Sequence, residues 1–261
     1  MKNIWTIAKR EYDNYFNGPL AYVVMLAILL PMGIYFSLIL FYTGQQAMFG
    51  GGGAPDVQPI NGLFIFLMVF LSPALTMRLL SDEARMGTLE LLLTAPVRDS
   101  ELVIGKWLGA MLFVMFILLI TLVYPLVLNN FVDPGIDWLV VISSYIGLIL
   151  VCGTMLAIGV GVSAIFSNQF ASFFVTLGII FFLYFMIGLP AGLLPQSGEV
   201  FNYLSLQNPY DQMNAGTMTL GGIVYYLSLI SLGLFAGTTA IEIRRWRSWL
   251  EKRKIKTRNT R

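Results

Sequence analysis

Residues 139–165 read LVVISSYIGLILVCGTMLAIGVGVSAI, with no charged side chain in the run. A helix rises about 1.5 Å per residue and the hydrocarbon core is about 30 Å thick, so about 20 apolar residues suffice to cross it. This run is longer than that. Leu20–Tyr42, Ile60–Leu80, Trp107–Leu128, Ala171–Leu194 and Ile223–Ile243 have the same character. The reading is an all-α membrane protein with six transmembrane helices. Composition agrees: of 261 residues, 57% are hydrophobic and 11% charged, against roughly 25% charged in soluble domains. Mean hydropathy is +0.76. Two spans are imperfect. Asn168 and Gln169 barely separate the fourth from the fifth, and Pro190, Gly192 and Pro195 break the end of the fifth.

The basic residues set the orientation, because Lys and Arg stay on the cytoplasmic side. Three precede span one (Lys2, Lys9, Arg10). Four lie around the loop between spans two and three (Arg78, Arg85, Arg98, Lys106), and nine follow span six, from Arg244 to Arg261. These are all 16 basic residues of the chain. Segments 43–59, 129–138 and 195–222 hold only acids: Asp56, Asp133, Asp137, Glu199 and Asp211. Both termini are therefore expected in the cytoplasm, and the chain in a plasma membrane of the bacterial inner-membrane type. No extramembrane segment reaches the roughly 50 residues of a domain, so residues 1–261 form one unit.

The N-terminal segment precedes a run much longer than the roughly 7–15 residues of a signal core. It is expected to be retained. Ile4, Trp5, Ala8, Tyr12, Tyr15 and Phe16 recur at helical spacing, opposite Lys9 and Arg10. This predicts an amphipathic helix over residues 1–19 in the interface, anchored by Trp5, Lys9, Arg10, Tyr12 and Phe16. It serves either as a plain anchor or as an elbow that moves with a partner. Gly18–Pro19 turns the chain into the bilayer.

The loop between spans two and three is the most informative, SDEARMGTLELLLTAPVR at 81–98. Thr88–Thr94 favours a short helix with Leu89, Leu92 and Leu93 on one face, ended by Pro96. It either folds back on the bundle or docks in a groove of a soluble partner. The pattern Glu83-x-x-x-Gly87-Thr88-Leu89-Glu90-x-Leu92-Leu93-x-x-Pro96-Val97, followed by Glu101-x-x-x-Gly105-Lys106, resembles the ABC-2 type permeases of ATP-binding-cassette transporters. The opening Ala8-Lys9-Arg10-Glu11 with Phe16-x-Gly18-Pro19 is similar to their elbow. Tyr203-Leu204-Ser205, Asn208-Pro209-Tyr210-Asp211, Gly216 and Arg244-Arg245-Trp246 are similar to their C-terminal end. The order and spacing of these motifs carry the resemblance, which covers nearly the whole chain. The nearest subgroup is the permeases associated with gliding motility and with nitrous-oxide-reductase maturation.

The resemblance implies two six-helix permease subunits, as a homodimer or heterodimer, driven by two cytoplasmic ATPase subunits. A periplasmic or accessory membrane protein is a further expected partner. Glu83, Met86, Gly87, Thr88, Leu89, Glu90, Leu92, Leu93 and Pro96 would couple to the ATPase. An outer gate, re-entrant between spans five and six, would involve Gly188, Pro190, Gly192, Pro195, Asn208, Pro209 and Tyr210. The residues fit independently, since 188–195 cannot stay a regular helix. Residues 199–222 are too apolar for an ordinary loop and too interrupted for a span. A partly ordered loop on the outer surface is the plainer alternative. The chain holds no G-x-x-x-x-G-K-[ST] phosphate loop: Trp107 follows Gly105-Lys106, and position 100 is Ser. No cofactor is expected here; ATP and Mg belong to the partner ATPase. No catalytic residue or metal ligand is assigned, and the chain is not read as an enzyme.

The middles of all six spans lack charges, which weakens an ion-coupled carrier. A membrane scaffold or assembly factor is the other alternative. Pro31, Pro73 and Pro125 are expected to kink spans one to three. Gly153, Ala157, Gly159, Gly161 and Ala164 suit close helix packing in span four. The tail 244–261 is expected to meet anionic lipid or the ATPase, with no nucleic acid.

Overall fold

The uncharged run folds as a single helix, Trp138–Ile165, in a computed structural model that describes residues 2–48, 56–87, 98–132, 135–188 and 198–258. In chain order the helices are α1 (Lys2–Asn17), α2 (Pro19–Met48), α3 (Gln58–Thr76), α4 (Ser81–Arg85), α5 (Asp99–Thr121), α6 (Val123–Phe131), α7 (Trp138–Ile165), α8 (Gln169–Phe181), α9 (Gly198–Leu204), α10 (Gln207–Asn214) and α11 (Leu220–Arg258). A π-helical turn, Phe182–Met186, extends α8. Among the described residues there is no strand. Six helical stretches among the described residues are long and apolar enough to cross a membrane: Pro19–Gln46, Gln58–Arg85, Asp99–Phe131, Trp138–Ile165, Gln169–Met186 and Leu220–Trp246. Each overlaps one predicted span.

The boundaries have local causes. Asp137 caps α7 by accepting the Leu139 N–H at 2.9 Å, and Asn168 caps α8 by accepting the Phe170 N–H at 2.9 Å. A side-chain oxygen satisfies one of the orphan donors at each helix start. Asn168 thus separates two spans that run almost together in sequence. Pro125 has no N–H to offer the carbonyl four residues back, that of Thr121. α5 ends at Thr121 and α6 begins at Val123. α2 runs through Pro31 without interruption. Span three starts well before its apolar run, at Asp99. Span six continues as helix through the basic tail to Arg258. Span five leaves the α-form at Phe182, and its predicted end, including Pro190, Gly192 and Pro195, lies outside the described residues.

α7 is the hub. It packs most extensively on α11 and also against α3, α5, α8 and α10. Its small residues permit this. A Cβ placed on Gly161 would stand 2.7 Å from the Gly233 carbonyl oxygen of α11, so backbone lies on backbone. The outer faces of α2 and α11 carry exposed Leu26, Leu30, Leu232 and Phe235. Apolar faces of that extent suit lipid and not water.

Candidate functional site

The helix ends converge in two clusters, one at each end of the bundle. At the end that carries both termini, α1 follows α5 for three turns. Ile4 and Ile7 lie over Gly105, and Ala8 and Glu11 over Gly109. Tyr15 stacks on Phe113 at 5.0 Å, and Phe16 meets Phe113 and Phe116 edge-on. A Cβ on Gly109 would come within 2.6 Å of the Glu11 Cβ and 2.9 Å of the Ala8 carbonyl oxygen. The glycines at four-residue spacing let α1 settle onto the backbone of α5.

This contact delivers Glu11 to Lys106, which is 2% exposed. The Lys106 Nζ donates to Glu11 Oε1 at 2.9 Å and to Glu83 Oε1 at 2.8 Å. A buried ammonium between two carboxylates makes charge-assisted bonds, stronger than neutral ones. One side chain therefore ties α1, α4 and α5 together. The Tyr15 hydroxyl adds a bond to the Leu75 carbonyl at 2.9 Å.

α4 is the stub between span two and the leucine-rich segment. Ser163 of α7 serves the break before it, its Oγ accepting the N–H groups of Leu80 and Ser81, both at 3.1 Å. Ser163→Ala leaves two buried donors unmet, at about 1–3 kcal/mol for such a loss. The expected result is a lower unfolding midpoint in detergent; an unchanged midpoint would show that the break needs no such acceptor. α4 ends at Gly87, whose φ of +70° is the left-handed conformation that favours glycine after a helix. On the far side of the leucine-rich segment, Asp99 pairs with Arg245 of α11. The Arg244 guanidinium donates to the Ile165 carbonyl at 2.8 Å and to Ser167 Oγ at 3.1 Å.

At the opposite end, α10 packs on α7. Ser143 Oγ donates to the Met213 carbonyl at 2.7 Å. The Asn61 amide donates to Ser144 Oγ at 3.1 Å and to Asn214 Oδ1 at 3.3 Å. Asn214 in turn donates to the Gln58 carbonyl at 3.1 Å. The Tyr226 hydroxyl donates to the Leu206 carbonyl at 2.7 Å, and the Leu206 N–H to the Leu183 carbonyl at 3.1 Å. This last bond joins the π turn of span five to the segment that follows it.

The predicted site residues fall as follows. Glu83 is in the Lys106 cluster, and Met86 and Gly87 are exposed beyond α4. Thr88, Leu89, Glu90, Leu92, Leu93 and Pro96 lie outside the described residues. Trp5, Lys9 and Arg10 are exposed, whereas Tyr12 and Phe16 are half-buried, their rings 4.9 Å apart. Tyr210 is buried against α7, within reach of Gly147. Asn208 is half-buried, bonded to the Asn202 carbonyl and to Gln212. Pro209 touches Gly222, and Gly188 faces Ser205 Oγ.

Glu11 and Lys106 were not among the residues singled out from sequence. Lys106 served there as an orientation marker and as one letter of a motif, and Glu11 as one letter of another. The first and last helices, α1 and α11, are thus joined to the two edges of one leucine-rich segment. No curated protein matches the chain. A family profile does: ABC-2 family transporter protein, over residues 6–241, from the first turns of α1 to the last apolar turns of α11. The match takes in the first five spans and most of the sixth, with the Lys106 bridge and the cluster at the opposite end, and the chain belongs to the ABC-2 family of transporter proteins.

Proposed function

We propose that this chain is the permease subunit of an ABC transporter, paired with a second permease subunit and driven by a separate cytoplasmic ATPase that holds ATP and Mg. Members of the family normally work with such a subunit. On this reading the end with both termini is cytoplasmic, in keeping with the distribution of Lys and Arg, and the membrane is a bacterial inner membrane. The segment Thr88–Thr94 carries the coupling contacts to the ATPase, and α1 is the elbow.

The observation that supports this best is the Lys106 bridge to Glu11 and Glu83. Glu83 lies four residues before Gly87, where the chain enters the leucine-rich segment. A push on that segment reaches α1 and α5 through one buried lysine. Exposed Trp5, Lys9 and Arg10 suit an elbow anchored at the interface. The outer gate is supported by α10, whose Met213 and Tyr210 reach Gly147. That residue is nine positions into α7, about 13 Å along its axis at about 1.5 Å per residue. Such depth fits a segment that re-enters the membrane, where irregular backbone must be buried by protein. A homodimer, a periplasmic partner and the gliding-motility subgroup rest on the family pattern alone.

Leu89→Asp tests the reading. A charge on the docking face removes the apolar contact, and the ATPase should no longer co-purify in mild detergent. Normal assembly and transport by this variant would remove the coupling role from 88–94. One observation favours a second reading, an ion-coupled carrier: the Glu11–Lys106–Glu83 cluster is buried and ionisable. Uptake into liposomes driven by a proton or sodium gradient, with no nucleotide, would establish it.

A further inference from the structure

A crevice of about 500 Å³ opens between α1, the start of α2 and the end of α3. Its lining is graded along the bundle. Arg10 and Arg78 stand near the end that carries the termini, while Leu20, Val23 and Leu75 line the part toward the middle. The grading follows from chain direction. α1 runs inward from Ile7 at Gly105 to Phe16 at Phe113, and α2 continues inward from Pro19. α3 runs the other way, so Arg78 lies outside Leu75.

The charge balance is also specific. The Lys106 ammonium is taken up by Glu11 and Glu83, which form one wall of the crevice. Arg10 and Arg78 are exposed, and neither makes an ion pair with a described residue. With three cations and two carboxylates the lining is net positive. Two guanidiniums at the polar end suit a phosphate, which their donor geometry matches. The apolar end suits a chain of methylenes and opens to the membrane side, where Val23 is 63% exposed.

We propose that the crevice binds an acidic phospholipid of the adjoining leaflet. Its phosphate lies between Arg10 and Arg78, and one acyl chain lies along Leu20, Val23 and Leu75. Bound there, the lipid adds a contact between the elbow and the end of span two, beside the Lys106 bridge and the Tyr15 bond to Leu75.

The test is native mass spectrometry of the purified full chain with equal phosphatidylglycerol and phosphatidylcholine. Wild type should retain phosphatidylglycerol preferentially. Arg10→Gln with Arg78→Gln should weaken retention about thirtyfold, from the usual contribution of each basic side chain near acidic lipid. Arg85→Gln, an exposed cation outside the crevice, should leave it unchanged. Equal retention of the two lipids, full retention by the double arginine variant, or an equal loss in Arg85→Gln would overturn the proposal. Release of the lipid by inorganic phosphate would reassign the crevice to a free anion. Should the double arginine variant unfold, Val23→Trp decides, because it fills only the acyl part: loss of phosphatidylglycerol supports the site and retention refutes it. The readout uses no nucleotide and no partner chain, so its failure leaves the permease reading intact.

Discussion

Lys106→Met will destabilise the folded chain by about 3–5 kcal/mol, the usual cost of removing one partner from a buried ion pair. The bridge lies deep, with the Lys106 side chain 3% exposed and the two carboxylates 11% and 13%. Without the ammonium, Glu11 and Glu83 face each other with no cation between them. They must repel, take up protons or swing out to water, and swinging out pulls α1 and α4 off α5. The unfolding midpoint in detergent should fall sharply. Glu11→Met, Glu83→Met and Lys106→Met together should recover most of the lost stability, since well-packed apolar side chains often replace a buried ion pair at little cost. Coupling should not recover with it, because the bonds that carry force from the leucine-rich segment to the elbow are gone. ATP-driven transport by the triple variant at the wild-type rate would reduce the cluster to a packing feature. Separate measurements of midpoint and transport distinguish the two roles.

That cluster marks where sequence reading stops. The spans were legible because about 20 apolar residues in a row have one main physical use. Two breaks were legible for equally local reasons: Asn168 is a helix cap and Pro125 lacks a donor. Glu11 and Lys106 are 95 residues apart in the chain, and Glu83 and Lys106 are 23 apart. Nothing local says that they meet. Lys106 lay one residue outside the predicted third span, so it counted as a loop charge. Asp99 or Ser100 reads as the start of a helix running through Lys106 into span three, and the helix does begin at Asp99; that Lys106, two turns in, lies under α1 is set by tertiary packing.

The N-terminal helix shows the same limit. Its aromatics were legible as one face, and Tyr15 and Phe16 do pack on α5. Burial of Glu11 on that face depends on Gly109, a residue in another helix. Ser163 is similar: one hydroxyl among several in an apolar run acquires this meaning only when the broken end of α3 arrives beside it. The π turn at 182–186 has no sequence signature in a run of Phe, Leu and Tyr. Its partner in the Leu206 bond is likewise set by tertiary packing alone.

Gly161→Leu should be among the most damaging single changes in the bundle. Its Cβ would meet the Gly233 carbonyl at 2.7 Å, and a Cβ on Gly233 would meet the Ala157 carbonyl carbon and oxygen at 2.8 Å. The obstacle in both cases is backbone, which cannot turn aside as a side chain can. α7 and α11 must move apart, and among the described helices they pack on each other most extensively. Overpacking typically costs about 1–3 kcal/mol. The upper end is expected here, because in lipid the helices are held by packing itself and not by expulsion of water. Gly161→Leu combined with Gly233→Leu should cost less than the two added together, since the first change already opens the gap that the second needs. Gly221→Ala, with nothing within 4 Å of its added Cβ, should leave the midpoint almost unmoved. Thermal unfolding in a single detergent orders the four variants, and a wild-type midpoint for Gly161→Leu would mean that α7 and α11 do not meet at this distance.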